Sequence, residues 1–444
     1  MSKLPPPVIV VPGITATYLS DQYPVSHEVV WSVMTGRFER IRTHPDDIRY
    51  EANQPARIVP GQVFEVAYKE LIAELRHNLT AHEDEPVPVY PFGYDWRRPL
   101  VDTQAALADF VGEVIERTKL MRHYAKDGYG DDPTVNLVGH SMGGLVIAGY
   151  LAGAGKKAPV SKVATLASPF RGSFEAVVKV LTGTADLGGT TPSSREREAA
   201  RLMPALYHLM PTPARGLTID PGLGTSIFHP GVWQQSIIDT IREYVRLFAV
   251  DPGKASDRRK QADELFAALL KTAEDHRASI EEFTLADAGL KPADWLAVVG
   301  INTVTRTQMR IDADGPGRPL FVLSSSDRLN KWKPDPPGNG PDERYHTGDG
   351  TVPFEGAVPG FLSPENLVCL TPDDFGYWEK ADRLLTGLGG FHGILPNMNV
   401  VHRLIVRHFT GAPDKHENTW GRRAPGVTKA AWKPPMDLSD RTHR

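Results

Sequence analysis

The stretch VNLVGHSMGGLVIAGY, residues 135–150, decides how the rest of the chain is read. Its opening residues are apolar apart from Asn136, and Leu145, Val146 and Ile147 form a second apolar run. Between the two runs stand His140, Ser141 and three glycines. The first run reads as a buried strand and the second as a helix. Gly139-His140-Ser141-Met142-Gly143 then fits G-x-S-x-G at a strand-to-helix turn. Glycines on both flanks let strand and helix approach closely, leaving the serine strained with its hydroxyl above the sheet edge. The helix that follows aims free N–H groups at any negative charge forming there. Ser141 is thereby a nucleophile candidate; the plain alternative is an ordinary strand–helix corner.

Working outward, Val8 to Val11 is a four-residue apolar run ended by Pro12-Gly13 and reads as another buried strand. Residues 86–90 carry prolines that suit a strand start or a sheet edge. Residues 163–167, 296–299 and 366–370 read as further strands. Residues 100–121 and 399–409 show helical spacing, the first with Asp102 or Thr103 placed to cap it. Strands alternating with helices predict an α/β fold with a mostly parallel sheet. The alternation breaks over residues 170–292. There Trp233, Ile237, Ile241, Tyr244, Val245 and Phe248 share one helical face, and Leu265, Phe266, Leu269, Leu270 and Ala273 another. This stretch is expected to be an all-helical cap. A second interruption, residues 306–346, offers two strand-like runs, TQMRI and LFVLSS, and then a Pro/Gly-rich loop. Asp312 to Gly315 between these runs reads as a turn, since the later ligands of a calcium loop are missing. The expected organisation is a first core part over 1–169, a cap over 170–292, a second core part over 293–412 and a polar tail, draped or disordered, over 413–444.

A nucleophilic serine needs a base, and the base a carboxylate to orient it. In strand–turn–helix sites of this kind the chain order is serine, acid, histidine. Asp349 stands in HTGDGTVP, residues 346–353, and His392 in GLGGFHGILPN, residues 387–397. Each taken alone fits a turn or a surface histidine; the three in order point to a triad of Ser141, Asp349 and His392. Two backbone donors are needed for an oxyanion. Met142 supplies one, and the N–H of Ile14, after the first strand, is assigned the other.

Composition bounds the partners. The 444 residues are 41% hydrophobic and 23% charged, with a net charge of -4. The clusters RERE at 195–198 and DRRK at 257–260 mix both signs, so nucleic acid is not an expected partner. No apolar run is long enough to span a bilayer, and the N-terminus lacks a secretory apolar region, so a cytoplasmic location is expected. Cys369 is the only cysteine, which leaves no internal disulfide and no cysteine-based metal cluster. No metal or organic cofactor is expected.

With these residues in hand, the chain resembles the lecithin:cholesterol acyltransferase family, which includes lysosomal phospholipase and phospholipid:diacylglycerol acyltransferases. VIVVPG looks like its first strand, and VYPFGYDWRRP, residues 89–99, carries its Tyr-Asp-Trp-Arg signature. GHSMGG matches its nucleophile turn, MPALYHLMP at 203–211 its cap segment, GDGTVP its acid loop and His392-Gly-Ile-Leu its histidine loop. The resemblance implies an α/β-hydrolase core with a cap and an N-terminal lid over residues 17–60. It implies Ser141, Asp349 and His392 as the triad, with Asp95 and Arg97 paired in support nearby. In the lid, Trp31, Val33, Met34 and Phe38 are candidates to meet an acyl chain or, equally, to pack on the core. The disulfide that holds the lid in secreted animal members is impossible here, and Ile14 stands where some lysosomal members have an acidic residue.

The expected activity is that of a serine esterase or lipase acting on acyl esters, with a lipid-like substrate and transient contact with a lipid surface. The rivals are acyl transfer from a phospholipid to an alcohol, a non-catalytic lipid carrier on the same scaffold, and an amidase or peptidase.

Overall fold

The strand Val8–Val11 (β1) is apolar at every position because both of its faces are covered. Ile9 and Val11 enter one apolar layer with Leu107, Val111 and Leu145; Val8 and Val10 enter the other with Leu71, Leu75 and Leu404. Burying each such side chain stabilises the fold by roughly 1.5–3 kcal/mol. A computed structural model describes residues 4–22, 28–32, 35–36, 57–184, 192–211, 216–249, 251–315, 317–323, 328–329, 348–376, 379 and 390–442.

Five further strands join β1: Val89–Pro91 (β2), Val135–His140 (β3), Val160–Leu166 (β4), Trp295–Gly300 (β5) and Val368–Leu370 (β6). Their order across the sheet is β6-β5-β4-β3-β1-β2, and every neighbouring pair is parallel. The chain leaves β1 towards β2 on one side and returns to place β3 on the other. That reversal opens a crevice at the carboxyl ends of β1 and β3, where ligands bind in sheets of this type. The proline-bearing β2 sits at the sheet edge, where a missing N–H does least harm.

Helices cover both faces. Leu100–Lys119 (α2) and Met142–Ala154 (α3) pack on one, Glu65–Leu79 (α1) and Asn399–Thr410 (α8) on the other. The expected side-chain cap of α2 is not formed. The helix starts at Leu100, as its spacing indicates, with Pro99 as its N-cap, so Asp102 lies inside the first turn. There its charge faces the positive end of the helix dipole and pairs with Arg98 at 3.0 Å.

Between β4 and β5 the chain forms the cap helices Phe174–Thr182 (α4), Ser194–Leu202 (α5), Gln235–Phe248 (α6) and Ala255–Glu282 (α7). The faces read from spacing are the buried ones, Ile237, Ile241, Tyr244, Val245 and Phe248 on α6, and Leu265, Phe266, Leu269, Leu270 and Ala273 on α7. Trp233, read on the first face, is buried but precedes α6, at the end of the short turn Pro230–Val232. The cap is not all helical, however. Leu217–Ile219 pairs in parallel with Met309–Ala313, which pairs antiparallel with Pro319–Val322. Residues 309–322 of the second interruption therefore form a hairpin on the first, turning at Asp314 and Gly315, where the Asp314 N–H donates to Arg318 O at 2.8 Å. The expected Pro/Gly-rich loop lies outside the described residues. Arg277 of α7 holds the cap base together: it is 3% exposed and donates to the carbonyls of Phe170, His208 and Met210.

Within residues 17–60, Thr17–Asp21, Glu28–Ser32, Thr35–Gly36 and Ile58–Val63 form a small antiparallel sheet. Val33, Met34 and Phe38 lie outside the described residues. Residues 413–442 run along the open edge of β6. Cys369 and Arg422 exchange both backbone hydrogen bonds, at 2.8 and 2.9 Å, and Arg422 pairs with Asp374. This covers an edge that would otherwise invite strand pairing.

Candidate active site

Ser141 closes the turn between β3 and α3 with φ 52° and ψ −125°, a conformation that L side chains seldom adopt. Its N–H donates to Leu166 O of β4 at 2.9 Å, which ties the turn to the sheet. The flanking glycines are required. A Cβ on Gly143 would lie 2.1 Å from Val11 O, and one on Gly139 would lie 2.9 Å from Gly143 C. Any larger residue would push α3 off the sheet and the serine out of place.

The three residues chosen from chain order meet here. His392 Nε2 lies 2.9 Å from Ser141 Oγ, and His392 Nδ1 lies 2.6 Å from Asp349 Oδ2. With Nδ1–H donated to the carboxylate, Nε2 is free to accept the serine proton. The other carboxylate oxygen, Oδ1, accepts the N–H groups of Thr351 at 2.9 Å and Val352 at 2.7 Å. Asp349 is 1% exposed, Ser141 6% and His392 9%, so the line of bonds is shielded from water. Close approach again needs a glycine: a Cβ on Gly300, at the end of β5, would fall 2.6 Å from Asp349 Cβ. The acid loop is bound back to its point of departure, since Thr303 N–H donates to Gly348 O at 3.0 Å and Gly350 N–H to Thr305 Oγ1 at 2.8 Å. His392, expected in a loop, sits in a short helix over 390–394, and this helix is fixed to the acid loop by the N–H of His392, which donates to Asp349 O at 3.1 Å.

Met142 is the first residue of α3, so its N–H has no intrahelical acceptor. Facing it is the loop after β1. A Cβ on Gly13 would lie 3.0 Å from Ser141 Cβ, which brings the neighbouring Ile14 to the rim of the site. The props of this loop were not read from sequence. Tyr94 Oη donates to Pro12 O at 2.8 Å, Trp96 Nε1 to Thr17 O at 3.0 Å and Trp31 Nε1 to Thr15 O at 3.2 Å. All three acceptors are backbone carbonyls, which leave no mark in the sequence; only the crowding of aromatics in GYDW hints at them. The loop has its own strain, with Thr15 at φ 62°.

Asp95 and Arg97 form a bidentate pair, Nε to Oδ1 at 2.9 Å and Nη2 to Oδ2 at 2.6 Å, with both residues buried. Arg97 O also accepts the Ala205 N–H of the cap at 3.4 Å. Asp95→Asn is expected to lower stability by about 3–5 kcal/mol, because one side of a buried, bidentate ion pair is removed. Urea unfolding followed by circular dichroism checks this, and a change under 1 kcal/mol would assign the pair no role in holding this region.

Trp31, a candidate either for acyl contact or for packing, is 3% exposed, and its ring lies 5.1 Å from that of Trp96. Trp31→Ala is therefore expected to cost about 3–5 kcal/mol and to slow short and long esters alike. A loss confined to long acyl chains, in a folded mutant, would make it an acyl contact.

Among the described residues, no group of three or more His, Cys, Asp or Glu is arranged to hold a metal ion, and no helix is long and apolar enough to cross a membrane.

Residues 65–238 match the family model described as Lecithin:cholesterol acyltransferase. Over that stretch the chain is lecithin:cholesterol acyltransferase-like. The match takes in Tyr94 to Arg97, Ser141 and the cap segment at 203–211, and stops short of Asp349 and His392. This likeness supports lipid-ester hydrolysis or acyl transfer in general, without dividing the two. No curated protein matches the chain. Among solved structures it is similar to the crystal structure of the Tle4–Tli4 complex, at 16% identity and a TM-score of 0.48, covering 80% of this chain and 89% of that one. It is also similar to phospholipase PlaB from Legionella pneumophila in complex with thio-NAD, at 12% identity and a TM-score of 0.30, covering 93% of this chain and 59% of that one. At scores this low neither likeness bears on the reaction.

Proposed function

We propose that the chain is a serine esterase of lipase type, which cleaves acyl esters through an acyl-enzyme on Ser141. The observation that carries this reading is the buried line of hydrogen bonds from Ser141 Oγ through His392 to Asp349 at the sheet's switch point. His392 Nε2 takes the hydroxyl proton as Oγ attacks the ester carbonyl. The carbonyl oxygen becomes an oxyanion and accepts the N–H groups of Ile14 and Met142. When the intermediate collapses, the bond to the alcohol oxygen breaks and His392 returns its proton to the leaving alcohol. Water, deprotonated by the same nitrogen, then releases the acid and restores the serine. Asp349 fixes the imidazole tautomer throughout and balances the imidazolium. No step calls for a metal or an organic cofactor.

The substrate class is an acyl ester of lipid type, drawn from the family likeness over residues 65–238. Brief contact with a lipid surface would deliver it. The same acyl-enzyme would serve transfer to an alcohol, a second reading that the family likeness over residues 65–238 leaves open beside hydrolysis.

The test is to label the protein with a fluorophosphonate, locate the adduct by mass spectrometry, and then turn over a panel of esters with and without an added alcohol. Label on Ser141 and ester hydrolysis support the esterase; a new ester formed in the presence of the alcohol supports transfer. A chain that binds lipid without labelling would be a carrier, and cleavage confined to amides would make it an amidase.

A further inference from the structure

Two buried side chains beside the triad take no part in the chemistry above. Tyr68, on α1, is 1% exposed, and His140, one residue before the serine, is 4% exposed. Gly13 N–H donates to Tyr68 Oη at 2.9 Å, Tyr68 Oη lies 2.6 Å from His140 Nδ1, and His140 Nε2 lies 3.0 Å from the backbone carbonyl of His392.

The directions of these bonds follow from their ends. A carbonyl can only accept, so His140 Nε2 carries the ring proton. Nδ1 is then bare and accepts the Tyr68 hydroxyl proton, while a lone pair on Oη accepts the Gly13 N–H. Every donor meets an acceptor in one arrangement. Burial, with the nearby His392 adding to it, pulls His140 down to about 3, and burial pushes the Tyr68 phenol well above its usual range. Neither group changes charge in the range where the enzyme would work.

We propose that Tyr68 and His140 are positioning residues, forming a neutral hydrogen-bonded strut that sets the oxyanion loop at Gly13 and Ile14 against the short helix, residues 390–394, that bears His392. This rests on the serine-esterase reading above. Two further observations support it. The peptide that joins Pro12 to Gly13 is held at both ends, its carbonyl by Tyr94 Oη and its N–H by Tyr68 Oη, which fixes the peptide plane next to the one that carries the Ile14 N–H. The start of α1 also reaches both segments: Phe64 N–H donates to Ala16 O at 2.8 Å, and Val66 O accepts at 2.8 Å from Nδ2 of Asn397, in the turn that follows the His392 helix.

The strut predicts a loss in turnover without a loss in ground-state binding. Tyr68→Phe keeps the ring and removes the hydroxyl. His140→Asn keeps an acceptor near Nδ1, and His140→Gln keeps a donor near Nε2; each preserves half of the strut. With active sites counted by fluorophosphonate, kcat per labelled site should fall by roughly tenfold to a hundredfold in each variant, the scale expected when reacting groups are misplaced by a fraction of an ångström to an ångström. KM for a short ester should stay within a few-fold of wild type. The Tyr68→Phe, His140→Gln double variant should lose less than the product of the single losses, because both act through one unit. Wild-type turnover per labelled site in the variants, or losses that multiply, would overturn the strut. If Tyr68→Phe does not fold, the two His140 variants decide: a per-site loss in both upholds it, and wild-type rates in both overturn it. Failure of the underlying reading looks different, because the wild-type protein itself would then carry no label at Ser141.

Discussion

Ser141→Ala is expected to abolish fluorophosphonate labelling and to cut ester turnover by about a millionfold, the scale found when a triad nucleophile is removed. The fold should survive. The hydroxyl is bonded to His392 at 2.9 Å, and its removal leaves the turn, the glycine contacts and the N–H bond to Leu166 intact. Alanine keeps a Cβ at φ 52° and hence keeps the backbone strain. Ser141→Gly should release it. That variant is expected to be equally inactive yet roughly 1 kcal/mol more stable than Ser141→Ala. Labelling, turnover and denaturant midpoints measured on the three proteins check the set. Turnover within a hundredfold of wild type in Ser141→Ala would remove Ser141 from the reaction.

Asp349→Asn is expected to lower kcat by about ten thousandfold, with stability changed far less than activity. The reason lies in how the carboxylate divides its oxygens. Oδ1 accepts from Thr351 and Val352, and Oδ2 accepts from His392 Nδ1. An asparagine has one oxygen. If that oxygen stays with the two backbone donors, the NH2 group faces Nδ1, and the imidazole must move its proton to Nε2. The nitrogen facing Ser141 then carries a hydrogen and cannot act as base. Kinetics on a soluble ester, together with thermal unfolding, test this. A loss of less than tenfold in a folded protein would show that the carboxylate does not set the tautomer.

Much of the core was legible because its signals are local. Val8 to Val11 could be bounded to the residue, since a strand covered on both faces is apolar throughout and Pro12-Gly13 ends it. The faces of α6 and α7 could be listed because an amphipathic helix repeats its burial every turn. Leu217–Ile219 could not be found: three residues carry no periodicity, and their partner strand begins at Met309. The cap of α2 was misjudged, although its span was not. Asp102 is a good capping type, yet Pro99 fixes the entry of the chain one turn before it. At the site, Ser141, Asp349 and His392 were readable as a set because their order and glycine-rich settings constrain one another. The role of Tyr68, Tyr94 and Trp96 was not, although the last two belong to the Tyr-Asp-Trp-Arg run, because each bonds to peptide groups of a loop that any sequence would supply.

The single thiol of the chain has a practical consequence. Cys369 lies in β6 at 0% exposure, and burial pushes its thiol up to about 12 despite Arg422 nearby. Maleimides and similar reagents attack the thiolate, so the native fold is in effect blank to them. The protein is its own cysteine-free background for spectroscopy, with no substitution in the core required. Leu247, on the outer side of α6 and 37% exposed, offers a site for one added cysteine, and an exposed position on α2 such as Val101, at 56%, offers a second. A dye pair or a pair of spin labels at these two points would report the distance between cap and core as an acyl substrate is added, with unfolding announced by the sudden reactivity of Cys369.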